Sequence, residues 1–72
     1  MTNPDIPTID EDGNKYWFNS KSQFHREIGP AYEGIDGQKE WYINGNRHRE
    51  DGPACTSSDG CMAWYINGKQ VT

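Results

Sequence analysis

Two segments place chemically capable side chains at close spacing: His25-Arg26-Glu27 and His48-Arg49-Glu50, each running on through Gly-Pro to Ala31 and Ala54. A histidine beside a carboxylate can serve as a general base that the carboxylate orients. The same cations, His25, Arg26, His48 and Arg49, could instead hold a small anion such as a nucleotide through charge-assisted hydrogen bonds. Cys55 and Cys61 flank Asp59-Gly60 and could meet as a disulfide across the five residues between them. Together with His25 and His48 they would make a four-ligand zinc set.

Most of this chemistry weakens when the spacing is followed through. Alternation along a strand sends each His and its neighbouring Arg to opposite faces, and no Ser or Cys stands beside both histidines. The expectation is therefore no enzyme. Each His is expected to stack on a cross-strand Trp, while Arg and Glu form cross-strand ion pairs that help hold the Gly-Pro turn. The zinc set has no familiar spacing, and the positions equivalent to the cysteines one copy earlier, Ala31 or Tyr32 and Gln38, supply no ligand. No metal and no cofactor is expected. In a tight register about Asp59-Gly60, Cys55 would face Trp64, which leaves two free, packed thiols as the favoured state in a cytoplasmic chain.

The elements that position these residues repeat. Asp-Gly-x-x-x-Trp occurs at Asp12 to Trp17, Asp36 to Trp41 and Asp59 to Trp64, and His-Arg-Glu-x-Gly-Pro-Ala at His25 recurs 23 residues on at His48. A period of that length belongs to stacked supersecondary units. Asn44-Gly45 and Asn67-Gly68 follow Trp-Tyr-Ile, the strongest short-range signal for a two-residue type I′ hairpin, because both central residues need φ > 0. Folding about Asn44-Gly45 sets Ile43 opposite Asn46, Tyr42 opposite Arg47 and Trp41 opposite His48. It further sets Glu40 opposite Arg49 and Lys39 opposite Glu50, both of opposite charge. Asp36-Gly37 and Asp59-Gly60 also suit tight hairpin turns, so the strands should follow one another up and down.

Copy one has one extra residue at its turn. Pairing Trp17 with His25 sets Phe18 opposite Phe24 and leaves Ser20-Lys21-Ser22 as a three-residue loop. Copy three ends at Thr72 without a His-Arg-Glu segment. Gly and Pro interrupt the chain every few residues and no stretch carries apolar spacing of 3.6. The expected fold is all-β: an antiparallel β-hairpin repeat meander of about two and a half units, with no helix. It forms a single domain over residues 12–72 after an extended or disordered lead-in at 1–11.

Composition bounds the function. A chain of 72 residues sits near the lower limit for a self-sufficient hydrophobic core. Its net charge of −4 argues against a duplex nucleic-acid binder, which concentrates Lys and Arg on one surface. No apolar run supports a membrane span or a secretory segment, so a soluble, cytoplasmic chain without membrane contact is expected.

Alternation places Trp41, Ile43 and His48 on one face and Glu40, Tyr42, Arg47 and Arg49 on the other. Trp17, Trp41 and Trp64 should form a ladder with steps of ~9.6 Å, and Phe18, Tyr42 and Tyr65 a parallel column on the opposite face. So small a sheet cannot cover both columns, which marks Phe18, Tyr42, Arg47, Arg49 and Tyr65 as partner-binding candidates of the types that dominate protein–protein hot spots. Acidic residues around Asp10, Glu11 and Asp12 would steer a basic partner. An edge strand or the aromatic face could also join two copies as a homodimer.

Trp41-Tyr42-Ile43-Asn44-Gly45 followed by His48-Arg49-Glu50-Asp51-Gly52-Pro53-Ala54 resembles the repeat of small MORN-like proteins, in the form carried by bacteriophages and prophages. The resemblance covers residues 12–70. It implies a β-hairpin meander and a phage origin, and with the uncovered aromatic face the expected function is a non-enzymatic protein-binding module, a phage-encoded inhibitor or modulator of a host defence or regulatory protein acting in the host cytoplasm. The alternatives are a sponge that captures a small anionic ligand between protomers, and a structural or scaffold protein.

Overall fold

A computed structural model describes residues 6–71, and among them the regular structure is β alone. In chain order the strands are β1 (Thr8–Ile9), β2 (Lys15–Tyr16), β3 (Tyr32–Glu33), β4 (Lys39–Glu40), β5 (Tyr42–Ile43), β6 (Asn46–Arg47), β7 (Cys55–Thr56), β8 (Met62–Ala63), β9 (Tyr65–Ile66) and β10 (Lys69–Gln70). An antiparallel main sheet runs β1-β2-β3-β4-β7-β8, while β5-β6 and β9-β10 stand as separate two-stranded ribbons. The expected all-β fold of antiparallel hairpins is what the chain adopts.

Each tryptophan is the point where the chain leaves the main sheet for a ribbon. The N–H of Trp41 donates to Ala54 O at 2.7 Å on the sheet side, and its carbonyl accepts from His48 N at 3.0 Å on the ribbon side. Trp17 does the same between Ala31 O and His25 N, at 2.8 and 3.0 Å. The ribbons are pinned to one another as well, by Gly45 N to Phe24 O and by Gly68 N to Arg47 O, both at 2.8 Å.

Turn chemistry explains the reversals. Asn44 and Gly45 take φ of 50° and 84°, and Asn67 and Gly68 repeat this at 50° and 83°, as a type I′ turn requires. The Asp-Gly reversals are three-residue loops. Gly37 N donates to Gly34 O at 3.0 Å, Gly34 N donates to Gln38 O at 2.7 Å, and Gly37 itself takes φ of 95°. In copy one the three-residue loop falls at Ser20-Lys21-Ser22 as expected, with Phe18 bridged to Phe24 and Ser22 at φ of 63°. Copy one also has a further hairpin, because Asp12-Gly13 folds Thr8 back onto Tyr16 and Ile9 onto Lys15. The sheet thus begins inside the expected lead-in, of which residues 1–5 lie outside those described.

The ribbon register matches the sequence, Tyr42 with Arg47 and Ile43 with Asn46, and His48 N still reaches Trp41 O, but the expected pairing goes no further. Glu40 is paired with Tyr32 and Cys55, not with Arg49, and Lys39 with Glu33 and Thr56, not with Glu50. Opposite charges still face each other, since Glu33 lies between Lys15 and Lys39. The expected pairs fail because Trp41 hands the strand to a new neighbour. Cys55 likewise pairs with Ala63, one residue before Trp64.

Among the described residues the buried apolar ones are Trp17, 3% exposed, and Ala31 and Ala54, both fully buried. The alanines follow Gly-Pro, and each has backbone hydrogen bonds on both sides of the sheet. The straps at 25–30 and 48–53 return the chain to the main sheet, and their Arg26 and Arg49 lie over Trp17 and Trp41.

Candidate functional site

The two faces of the protein differ in chemistry. On the strap face Arg26 lies 3.8 Å from the Trp17 ring centroid, and its Nη1 donates to Pro30 O at 3.2 Å and to Glu33 Oε2 at 3.4 Å. Arg49 lies 4.0 Å from the Trp41 ring and donates to Pro53 O and Asp51 Oδ1, both at 3.1 Å. An arginine lies over each of these two tryptophans in cation–π geometry. Arg49 therefore belongs to the Trp41 face and does not join Tyr42 and Arg47, since strand alternation ends where the strap begins.

The histidines have another task. Nδ1 of His25 accepts the backbone N–H of Asn44 at 3.0 Å, and Nδ1 of His48 accepts that of Asn67 at the same distance. The opposite nitrogens approach Glu27 and Glu50, each at 3.4 Å. A base whose Nδ1 is occupied by a backbone donor is held as the Nε2-protonated tautomer and fixes a turn. Between the two straps runs a groove of about 690 Å³, with Trp41 and Ile43 beside Arg26, His48, Arg49 and the acids Glu27, Glu50 and Asp51. The four anion candidates are thus divided: Arg26, His48 and Arg49 line the groove, and His25 does not. The two arginines are engaged with acceptors of the chain itself, and three carboxylates share the groove with them.

The other face carries the aromatic residues. Phe18 stacks on Phe24 with centroids 5.1 Å apart, and Phe24 stacks on Tyr42, also at 5.1 Å. Arg47 continues the stripe, 5.9 Å from the Tyr42 ring and 5.3 Å from the Tyr65 ring. Its Nη2 donates to Glu40 Oε1 at 3.1 Å, its Nε to the Tyr42 hydroxyl at 3.3 Å and its Nη1 to the Tyr65 hydroxyl at 3.4 Å. Burial opposes the charge on Arg47, but the Tyr42 hydroxyl and Glu40 outweigh it and raise its pKa. Burial also raises the pKa of Tyr42, helped by its hydrogen bond to Glu40. Phe18, Tyr42, Arg47 and Tyr65, predicted as contact residues, do come together here.

Tyr16, Phe24 and Tyr32 also belong to this face and escaped the sequence reading. Tyr16 lies 5.2 Å from Tyr32 and 6.1 Å from Phe24. Tyr16 and Phe18 flank Trp17, and Phe24 lies opposite Phe18, so alternation alone would have found two of the three. The Tyr16 hydroxyl donates to Asp10 Oδ2 at 2.6 Å. That bond, with a second from Asn14, holds the Asp10 carboxyl down at about 2, and it pushes the Tyr16 phenol up to about 12.

Cys55 is half-buried and Cys61 exposed, both free, and burial pushes the Cys55 thiol up. Among the described residues no three His, Cys, Asp or Glu side chains gather as metal ligands, and no helix is long and apolar enough to cross a membrane. Comparison of the chain with protein-family models, with curated proteins and with solved structures found no match.

Proposed function

We propose that the protein is a non-enzymatic binding module that docks another protein on its aromatic face. The observation that carries this reading is the unbroken stripe Phe18, Phe24, Tyr42, Arg47, Tyr65, with Phe18 left 39% exposed. Tyr and Arg are the residue types on which interface energy concentrates. Arg47 is already clamped by Glu40 and two tyrosines, so little further side-chain entropy is lost when a partner covers it. Glu11 and Asp12, exposed on the Asp-Gly loop at one end of the sheet, favour approach by a basic partner. The resemblance to phage and prophage repeat proteins points to a host defence or regulatory protein as that partner.

Capture from bacterial lysate with the intact chain tests this. The expected result is a stoichiometric protein retained by the native sequence and lost when Phe18→Ser and Tyr65→Ser are combined in a chain that still folds. Recovery of nothing stoichiometric, or equal recovery by the double variant, overturns it.

A further inference from the structure

The two edges of the main sheet repeat two strands that pair inside it. Among the described residues β1 and β8 are the outermost strands, each bonded on one side only. β1 stands to β2 as β3 stands to β4: Thr8 and Ile9 face Tyr16 and Lys15, while Tyr32 and Glu33 face Glu40 and Lys39. β8 repeats β4 in the same way, since Cys55 faces Ala63 and Thr56 faces Met62. Directions agree as well. The steps β1-β2, β2-β3, β3-β4, β4-β7 and β7-β8 are all antiparallel, and an odd number of reversals leaves β8 antiparallel to β1.

We infer that β8 of one copy of this chain receives β1 of another, so that the sheet continues from copy to copy in the register it already uses. That register pairs Lys15 with Glu33 and Tyr16 with Tyr32, and again Lys39 with Thr56 and Glu40 with Cys55. Carried one step further, it sets Met62 opposite Ile9, and Ala63 opposite Thr8, of the next copy. The side chains at these edges suit each other. Exposed edge strands ordinarily carry charges that discourage pairing. Here the positions that are polar in the internal pairs Lys15–Glu33 and Lys39–Thr56 hold Met62 and Ile9, each 58% exposed. Opposed across a new ladder, the two apolar side chains cover one another.

The backbone supplies a second, independent match. The Trp17 N–H donates to Ala31 O and the Trp41 N–H to Ala54 O, whereas the Trp64 N–H has no acceptor among the described residues. In the same frame Pro7 takes the place of those alanines, one residue before Thr8 as Ala31 is one before Tyr32. Its carbonyl is the acceptor that Trp64 lacks. Proline gives up only the inward N–H, which Ala31 donates to Glu40 O, and keeps the outward oxygen. Because the contact joins unlike edges, it is heterologous and repeats from copy to copy, unlike a symmetric dimer. Strands this short place it among weak, transient interfaces. It goes beyond the docking of a partner on the aromatic face and is read with no other protein present.

Sedimentation of the intact chain under reducing conditions tests this. The weight-average mass should rise above 8.2 kDa with concentration, with a dissociation constant on the order of 0.1–1 mM. Ile9→Glu keeps an internal partner in Lys15, as Glu33 does, and Met62→Glu still faces Thr56. Each variant alone should stay monomeric. An equimolar mixture of the two should form a dimer and stop there, because the Ile9→Glu chain retains a native β8, the Met62→Glu chain retains a native β1, and any further junction sets Glu against Glu. A native chain that remains monomeric at about 2 mM overturns the proposal. So does association of either variant at native strength, as a symmetric dimer or a contact through the aromatic face would give, or a mixture that stays monomeric. The native-chain measurement stands even if a variant does not fold.

Discussion

His48 Nδ1 accepts the backbone N–H of Asn67 at 3.0 Å, so the strap of one unit fixes the Asn-Gly turn of the next. His25 makes the same bond to Asn44, 19 residues ahead of it in both cases. A motif with the composition of a catalytic pair is thereby a connector between successive ribbons.

Replacing His48 by Ala removes the acceptor and should destabilise the fold by about 1 kcal/mol, with the turn exposed enough for water to limit the loss. In a domain of this size that corresponds to a fall of roughly 4–8 °C in Tm. Asn at the same position can offer its amide oxygen near the place of Nδ1 and should lose less. Equal losses for Ala and Asn in thermal unfolding would show that the ring, not the hydrogen bond, matters.

One hydrogen bond links both ends of the pH scale. Asp10 is held at about 2 by Tyr16, so it contributes stability above its ordinary range near pH 4, and that contribution is lost as the pH falls toward 2. Tyr16 is raised to about 12, so its contribution is complete below pH 10 and is lost as the pH rises through 12. Asp10→Asn should flatten the dependence at both extremes in denaturant titrations followed across pH. A variant that keeps the native slope at either extreme would contradict the assignment.

Backbone conformation predicts two substitutions of opposite sign. Ser22 occupies φ of 63° in the loop of copy one, so Ser22→Gly should stabilise by a few tenths to about 1 kcal/mol. Gly60 has φ of 93° with open space around its missing Cβ, so Gly60→Ala should destabilise by about 1–2 kcal/mol through backbone strain alone. Urea unfolding of both variants checks the pair, and a neutral Gly60→Ala would refute the loop geometry.

What the sequence made legible was local. Asn-Gly dictates the register of Tyr42 with Arg47, and one added residue dictates Phe18 with Phe24, because a turn type fixes its flanking pairs. The same rule has no term for where a strand changes neighbours. Trp41 makes that change with its own N–H and carbonyl, so Glu40 left Arg49 for Tyr32 and Cys55. Arg49 turned onto Trp41 for the same reason, since period-two alternation holds only while the chain remains a strand. Half of the aromatic face was visible as a column of Phe18, Tyr42 and Tyr65. Tyr32 was not, because it joins Tyr16 only through the pairing of β2 with β3, two segments separated by a whole ribbon and strap.

The thiols should report the same geometry. Cys61 is exposed, while burial raises the pKa of Cys55, so a thiol reagent near neutral pH should modify Cys61 first and Cys55 more slowly. Mass spectrometry of partial labelling reads the order. Equal rates, or an unreactive bonded pair, would be incompatible with the register of Cys55 opposite Ala63.

The central claim is that the aromatic face, and not the opposite face of the sheet, meets a partner protein. Photo-crosslinking from p-benzoylphenylalanine at Phe18, compared with the same probe at the exposed Lys39 on the other face, tests it most directly in bacterial host cells. A discrete adduct with one host protein from position 18 and none from position 39 is the predicted result. An adduct from position 39 alone, equal adducts from both, or none from either would contradict it.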